Sequence, residues 1–228
     1  MNYVNQFLFG VYPYVALAVF LLGSLIRFDR EQYTWKSDSS QLLKRGQLRW
    51  GSNLFHIGIL ALFFGHLAGL LTPREAYHAL GLSTEAKQLL AITAGGVFGT
   101  MCLAGLALLV HRRLSEARIR ATSTPMDIVV LLWILATLLL GLASIFVSLG
   151  HRDGSVMMVL GLWAQHIVTL RGGAADFIAG VHWIYKVHLV FGMTLFLLFP
   201  FSRLVHVWSG FGALAYLGRP YQIVRSRR

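Results

Sequence analysis

Residues 128–149, IVVLLWILATLLLGLASIFVSL, contain no charged side chain. A helix of about 20 apolar residues, rising about 1.5 Å each, matches the roughly 30 Å of hydrocarbon in a bilayer. Four other segments are about as long and mostly apolar, so the chain is expected to cross a membrane five times, at about 4–26, 52–71, 89–111, 127–149 and 183–208. Composition agrees, since 56% of the 228 residues are hydrophobic and only 13% are charged. Helices are expected and not strands, because a helix satisfies its backbone hydrogen bonds within one segment and no alternating pattern suggests a barrel. The expected fold is therefore all-α and polytopic, one membrane domain spanning 1–228. The first segment lacks a basic leader and a small-residue cleavage site, so it reads as a retained helix.

Charge sets the expected orientation. The net charge is +11, but the basic residues are sorted by membrane side and do not line one exposed helix, which argues against nucleic acid. The 27–50 loop, the 112–126 loop and the chain from Arg203 onward hold about three quarters of the Lys and Arg. The other side has only Arg74, Lys87, Arg152, Arg171 and Lys186. The positive-inside rule then places the N-terminus outside and the C-terminus in the cytoplasm. Tyr12, Tyr14, Tyr33, Trp35, Trp50, Trp163, Trp183 and Tyr185 fall near helix ends, where interfacial aromatic anchors belong. Residues 155–168 are apolar but too short to span and read as an outer interfacial or re-entrant helix. Cys102 is the only cysteine, which rules out an internal disulfide and any covalently attached haem; it reads as a packing residue among the glycines of the third span.

The second and fifth spans carry titratable rings where hydrocarbon makes them costly. Antiparallel crossing puts His66 and His188 at one depth, toward the outside, and His56 and His206 at another, toward the cytoplasm. Two imidazoles on facing helices are what a haem iron with two axial ligands requires, and this chain supplies the arrangement twice. Along straight helices His56 and His66 are about 15 Å apart and His188 and His206 about 27 Å, so the fifth span must bend, and Pro200 offers the place. A proton relay or transition-metal transport are the competing readings of the four histidines, although the spans hold almost no acidic residue: Asp127 sits at a helix entry, and no Asp or Glu within the membrane accompanies the histidines. His182 rivals His188 at the start of the fifth span. His78, His111, His151 and His166 read as interfacial or solvated.

Set together, SNLFHIGILALFFGHLAGLLTP and FGMTLFLLFPFSRLVHVW resemble the gamma subunit of the membrane-bound respiratory nitrate reductase, a dihaem cytochrome b. YPYVALAVFLLGS, YTWKSDSSQLL, RATSTPMDI and YQIVR extend the resemblance along the whole chain. It implies that His66 and His188 hold a distal haem b, that His56 and His206 hold a proximal haem b, and that quinol is oxidised at the distal one. Electrons would pass to an iron–sulfur beta subunit and a molybdenum alpha subunit that reduces nitrate, in the bacterial cytoplasmic (inner) membrane. Gly65 and Lys87 match the family's quinol-site glycine and lysine. Arg112, Arg113 and Arg203 lie near the proximal level and are candidates for haem propionates. The 27–50 loop and the 209–228 tail are expected to dock the iron–sulfur subunit. Two alternatives stay open: a dihaem cytochrome b of another quinol-linked cytoplasmic reductase, and a haem-free anchor or metal transporter.

Overall fold

A computed structural model describes residues 3–31, 35, 43–151 and 153–209. Five helices are long and apolar enough to cross a membrane: Tyr3–Arg30, Arg45–Leu71, Thr84–Ser115, Pro125–Ser148 and Trp183–Phe201. No strand occurs among the described residues. The expected docking surfaces fall largely on residues 32–34, 36–42 and 210–228, and these, Tyr33 among them, lie outside the described residues.

Local chemistry sets the helix ends. Ser83 starts the third span by accepting the Ala86 N–H on its hydroxyl at 3.1 Å. Thr124 and Asp127 form a reciprocal capping box at the start of the fourth, with Pro125 in its first turn. The second span stops at Thr72, whose extended backbone suits the following Pro73. In the first span, a π-turn over Phe7–Val11 precedes Pro13. A proline ring crowds the carbonyl four residues back and removes its N–H partner. That carbonyl belongs to Phe9, and it accepts the indole N–H of Trp163 at 2.9 Å.

The fifth span does not run as one helix to 208. It is α-helical from Trp183 to Leu198, passes through a 3-10 turn at Phe199–Phe201, becomes extended at Ser202 and re-coils at Arg203–Val205. Pro200 therefore breaks the helix outright. From His188 to Leu198 the helix rises about 15 Å, equal to the rise from His56 to His66. The rest of the segment turns aside and does not add length, which resolves the mismatch between the two spans.

The spans pack in the order second, third, fourth, fifth, first, and the second and third make the most extensive contact. There small residues let the backbones touch: a Cβ on Gly58 would fall 2.6 Å from the Cβ of Cys102, and one on Gly105 would strike the backbone at Phe55. Cys102 is fully buried with Leu106, Val130, Ile134 and Leu138, so its packing role holds. A second core joins Phe9 of the first span to Trp163, Ala164 and Ile167 of the short helix Ser155–Val168 and to Ala174, Ala175 and Ile178. Two expected interfacial anchors are corrected by this packing. Trp163 is a core residue, and Tyr185 is buried with its hydroxyl 2.7 Å from that of Ser148. Large apolar side chains such as Leu22, Phe64, Leu89 and Phe146 cover the outside of the bundle, as contact with lipid tails requires.

Gly105→Leu should lower thermal stability in detergent, because overpacking a tight contact costs about 1–3 kcal/mol or more. Gly96→Leu is the control, since a Cβ there meets nothing within 4 Å. Equal melting temperatures for the two variants would contradict the backbone contact between the second and third spans.

Candidate functional site

The broken fifth span brings four histidines into two facing pairs. The His66 and His188 rings have centroids 6.1 Å apart at an interplanar angle of 44°. The His56 and His206 rings have centroids 6.2 Å apart at 70°. The members of each pair come from the second and fifth spans, which do not pack closely on each other among the described residues. The rings thus meet across a separation that neither helix fills.

Every one of these rings is fixed by the same kind of bond. His56 Nδ1 donates to the Ser52 carbonyl at 2.7 Å and His66 Nδ1 to the Leu62 carbonyl at 2.7 Å. His206 Nδ1 donates to the Arg203 carbonyl at 2.6 Å, and His188 Nδ1 reaches across to the Thr137 carbonyl of the fourth span at 3.0 Å. A carbonyl can only accept, so the proton sits on Nδ1 and the Nε2 lone pair is left for another partner. This is the tautomer of a metal-ligating imidazole whose second nitrogen is held by a carbonyl. His182, the rival to His188, has the opposite arrangement: its Nδ1 accepts the Ile184 N–H at 3.3 Å and caps the fifth span. His166 packs its ring on Phe177 and His111 faces the Ser115 hydroxyl.

Glycine shapes the surroundings. A Cβ on Gly141 would come within 3.0 Å of His188 Cε1, so the fourth span seats the ring between Gly141 and the Thr137 carbonyl one turn earlier. Beside the rings, Gly65 and Gly192 have nothing within 4 Å of a Cβ position, which leaves bare helix surface next to His66 and one turn from His188. Lys87, in the first turn of the third span, holds its ammonium over the Tyr77 ring at 4.0 Å from the centroid.

The arginines of the basic end are tied to protein groups. Arg112 is buried and donates to the Leu43 carbonyl at 2.8 Å. Arg203 grips Asp127 with both arms of its guanidinium, Nε to Oδ1 at 2.6 Å and Nη2 to Oδ2 at 2.5 Å. Arg113 donates to the Ser123 hydroxyl at 2.6 Å and stands 3.7 Å from Asp127. Sequence reasoning recognised Asp127 only as a helix-start residue and missed its pairing with Arg203. It also missed Thr137 and Gly141, for which the available signal was a threonine and a glycine one turn apart in an otherwise leucine-rich span.

The sequence profile of the nitrate reductase gamma subunit family matches residues 5–227. The chain is 53% identical to the respiratory nitrate reductase 2 gamma chain of Escherichia coli over 229 residues, covering 100% of both chains. It is 52% identical to the respiratory nitrate reductase 1 gamma chain of the same organism, again over 100% of both. Against the nitrate reductase gamma chain of Bacillus subtilis the identity is 39%, over 98% of this chain and 99% of that one.

Asp127→Asn should lower the unfolding midpoint in detergent. Breaking a buried ion pair costs about 3–5 kcal/mol, and the loss here should be smaller because the Arg203 side chain keeps 24% of its exposure. An unchanged midpoint would mean that the pair does not hold the segment after Pro200 to the fourth span.

Proposed function

The chain belongs to the nitrate reductase gamma subunit family, and from that premise we propose that it is the quinol-oxidising cytochrome b subunit, with His66 and His188 holding an outer haem b and His56 and His206 an inner one. The observation that carries this reading is the spacing and tautomer of the two histidine pairs. A metal–imidazole bond of about 2 Å and about 1.1 Å from the bonding nitrogen to the ring centre, on both sides of one iron, require centroids about 6.2 Å apart. The separations of 6.1 and 6.2 Å meet that requirement, and all four Nε2 lone pairs are available to point at it. Among the described residues no cluster of three or more His, Cys, Asp or Glu side chains occurs; a macrocycle that brings its own equatorial nitrogens needs only two ligands from the protein.

Two b haems, when bound, would supply one-electron steps that divide the crossing of the hydrocarbon into short intervals. The chain's own residues do the rest. The four carbonyl bonds keep each ring in its ligating tautomer and set its plane. Gly65 and Gly192 keep side chains away from the flat face beside His66 and His188. Lys87, steadied on Tyr77, is placed in the first turn of the third span to donate to a quinone oxygen. Arg112 and Arg203, at the same end of the bundle as His56 and His206, offer guanidinium charge to haem propionates in addition to their bonds with Leu43 and Asp127.

The bias of basic residues supports a cytoplasmic location for the His56–His206 end. Quinol oxidised at the opposite end would release its protons outside while electrons move inward, toward an iron–sulfur beta subunit and a molybdenum alpha subunit that reduces nitrate. Each charge moved against the membrane potential in this way stores about 2.3 kcal/mol per 100 mV. The setting we propose is the cytoplasmic membrane of a bacterium.

Haem per chain, measured as the pyridine haemochromogen of the purified subunit, should be two, and His66→Ala or His188→Ala should remove one haem together with quinol oxidation. His182→Asn should retain both, because asparagine can still cap the fifth span. Colourless protein, or both haems retained after loss of His66, would overturn the reading. Lys87→Ala should raise the KM for quinol with haem content unchanged; an unaltered KM would return Lys87 to a packing role on Tyr77.

A further inference from the structure

The first span carries no histidine, yet its inward face is fitted to the break in the fifth span. Phe20, Gly23 and Arg27 are three and four residues apart and so share one face. The Phe20 ring stacks on Trp208 at 5.4 Å between centroids and meets Phe199 edge-on at 4.8 Å. A Cβ on Gly23 would fall 2.8 Å from Cγ of Pro200, so only glycine lets the proline ring lie against this helix. One turn further on, Nη1 of Arg27 donates to the Pro200 carbonyl at 2.7 Å and to the Ser202 carbonyl at 2.8 Å.

Those two carbonyls bracket the point where the fifth span changes direction. Ser202 has extended backbone between two 3-10 turns. His206 closes the second turn, its Nδ1 bonded to the Arg203 carbonyl within the same turn. The position of the His206 ring therefore follows the direction of the segment leaving Ser202. The segment is gripped from two sides, by Arg27 of the first span and, through Arg203, by Asp127 of the fourth. His188, in contrast, takes its position from an unbroken helix and a bond to the fourth span.

We propose that Arg27 is a positioning residue for His206, acting through the Pro200 and Ser202 carbonyls to set the geometry of the inner haem and not of the outer one. This rests on the reading that His206 is an axial ligand. One nitrogen of the flat guanidinium, Nη1, serves both carbonyls from a long, planar side chain, whereas an ammonium delivers a point charge on a shorter, more flexible arm. Lysine should therefore restore the function in part and leucine not at all.

The test uses the assembled nitrate reductase complex carrying the parent gamma subunit, Arg27→Leu or Arg27→Lys. Haem per chain and the midpoint potential of each haem are measured by optical redox titration. In Arg27→Leu the inner haem should be lost, bringing haem per chain from two toward about one, or should be retained with its midpoint displaced by about 59 mV or more, a tenfold change for a one-electron couple. The outer haem should keep its occupancy and midpoint, and Arg27→Lys should return the inner haem toward the parent value. An inner haem unchanged in Arg27→Leu, equal disturbance of both haems, or no recovery with lysine would overturn the proposal. A parent complex lacking two haems in this chain would overturn the reading of the histidines, and this proposal with it.

Discussion

In hydrocarbon no water is available to satisfy a backbone carbonyl, and an unmet one costs several kcal/mol. The helices meet most of this demand within themselves, and at several breaks and ends a side chain from another part of the chain meets it. Trp163 supplies the Phe9 carbonyl above Pro13, Gln165 donates to the Leu70 carbonyl near the end of the second span, and Arg27 reaches both carbonyls at the Pro200 break. Trp133 donates to the Phe191 carbonyl at 3.0 Å while its ring stacks on that of Phe191 at 4.4 Å. These cross-chain bonds are what tie the short helices and the broken fifth span to the bundle. The same demand fixes the imidazoles, for each Nδ1–H finds a carbonyl and each ring is thereby held in one tautomer.

The two pairs of rings have nearly the same separation but differ in how they are built. His66 and His188 stand on regular helix, and His188 is steadied by a neighbouring span at Thr137 and Gly141. His56 and His206 are bonded to carbonyls four and three residues away on their own segments. Of these two, His206 gains its placement through Arg27 and the Arg203–Asp127 pair. His188 is therefore held by close packing against the fourth span, and His206 by guanidinium bonds. A packed seat tolerates little change of shape, whereas a seat made of charged hydrogen bonds depends on keeping every partner.

Much of this plan is legible in the sequence. Runs of about 20 apolar residues give the five spans because bilayer thickness dictates their length, and the four histidines at matched depths follow from counting residues along antiparallel helices. The pairing of His56 with His206 needed more, since a straight helix would have carried His206 about 12 Å too far. Pro200 marked where the bend falls, but the sequence did not show that the chain would leave the helix altogether at Ser202. Contacts between residues distant in sequence were hidden. Arg27 read as a member of the basic 27–50 loop and Arg203 as a basic residue of the tail side and a propionate candidate, because charge bias explains both without a partner, and Trp163 read as an interfacial anchor because its position near a helix end does not reveal the Phe9 carbonyl above it.

The location of the charged seat bears on how the chain works within a larger enzyme. Arg112, Arg113, Arg203 and Asp127 gather where the third and fourth spans meet the end of the fifth. Arg112 also holds the Leu43 carbonyl, and Lys44 pairs with Glu116, just before the second span begins. The stem of the 27–50 segment is thus fastened to the same layer that orients His206. A partner bound to that segment would press on a layer already linked to His206 by hydrogen bonds, while the His66–His188 pair lies about 15 Å away along the second span, with His188 seated on the fourth span. On the proposed function, and with the acceptor subunit expected to dock on the 27–50 segment, this division would separate the two duties of the subunit, since the stem of that segment is hydrogen-bonded to the layer beside His206 and not to the seat of His188.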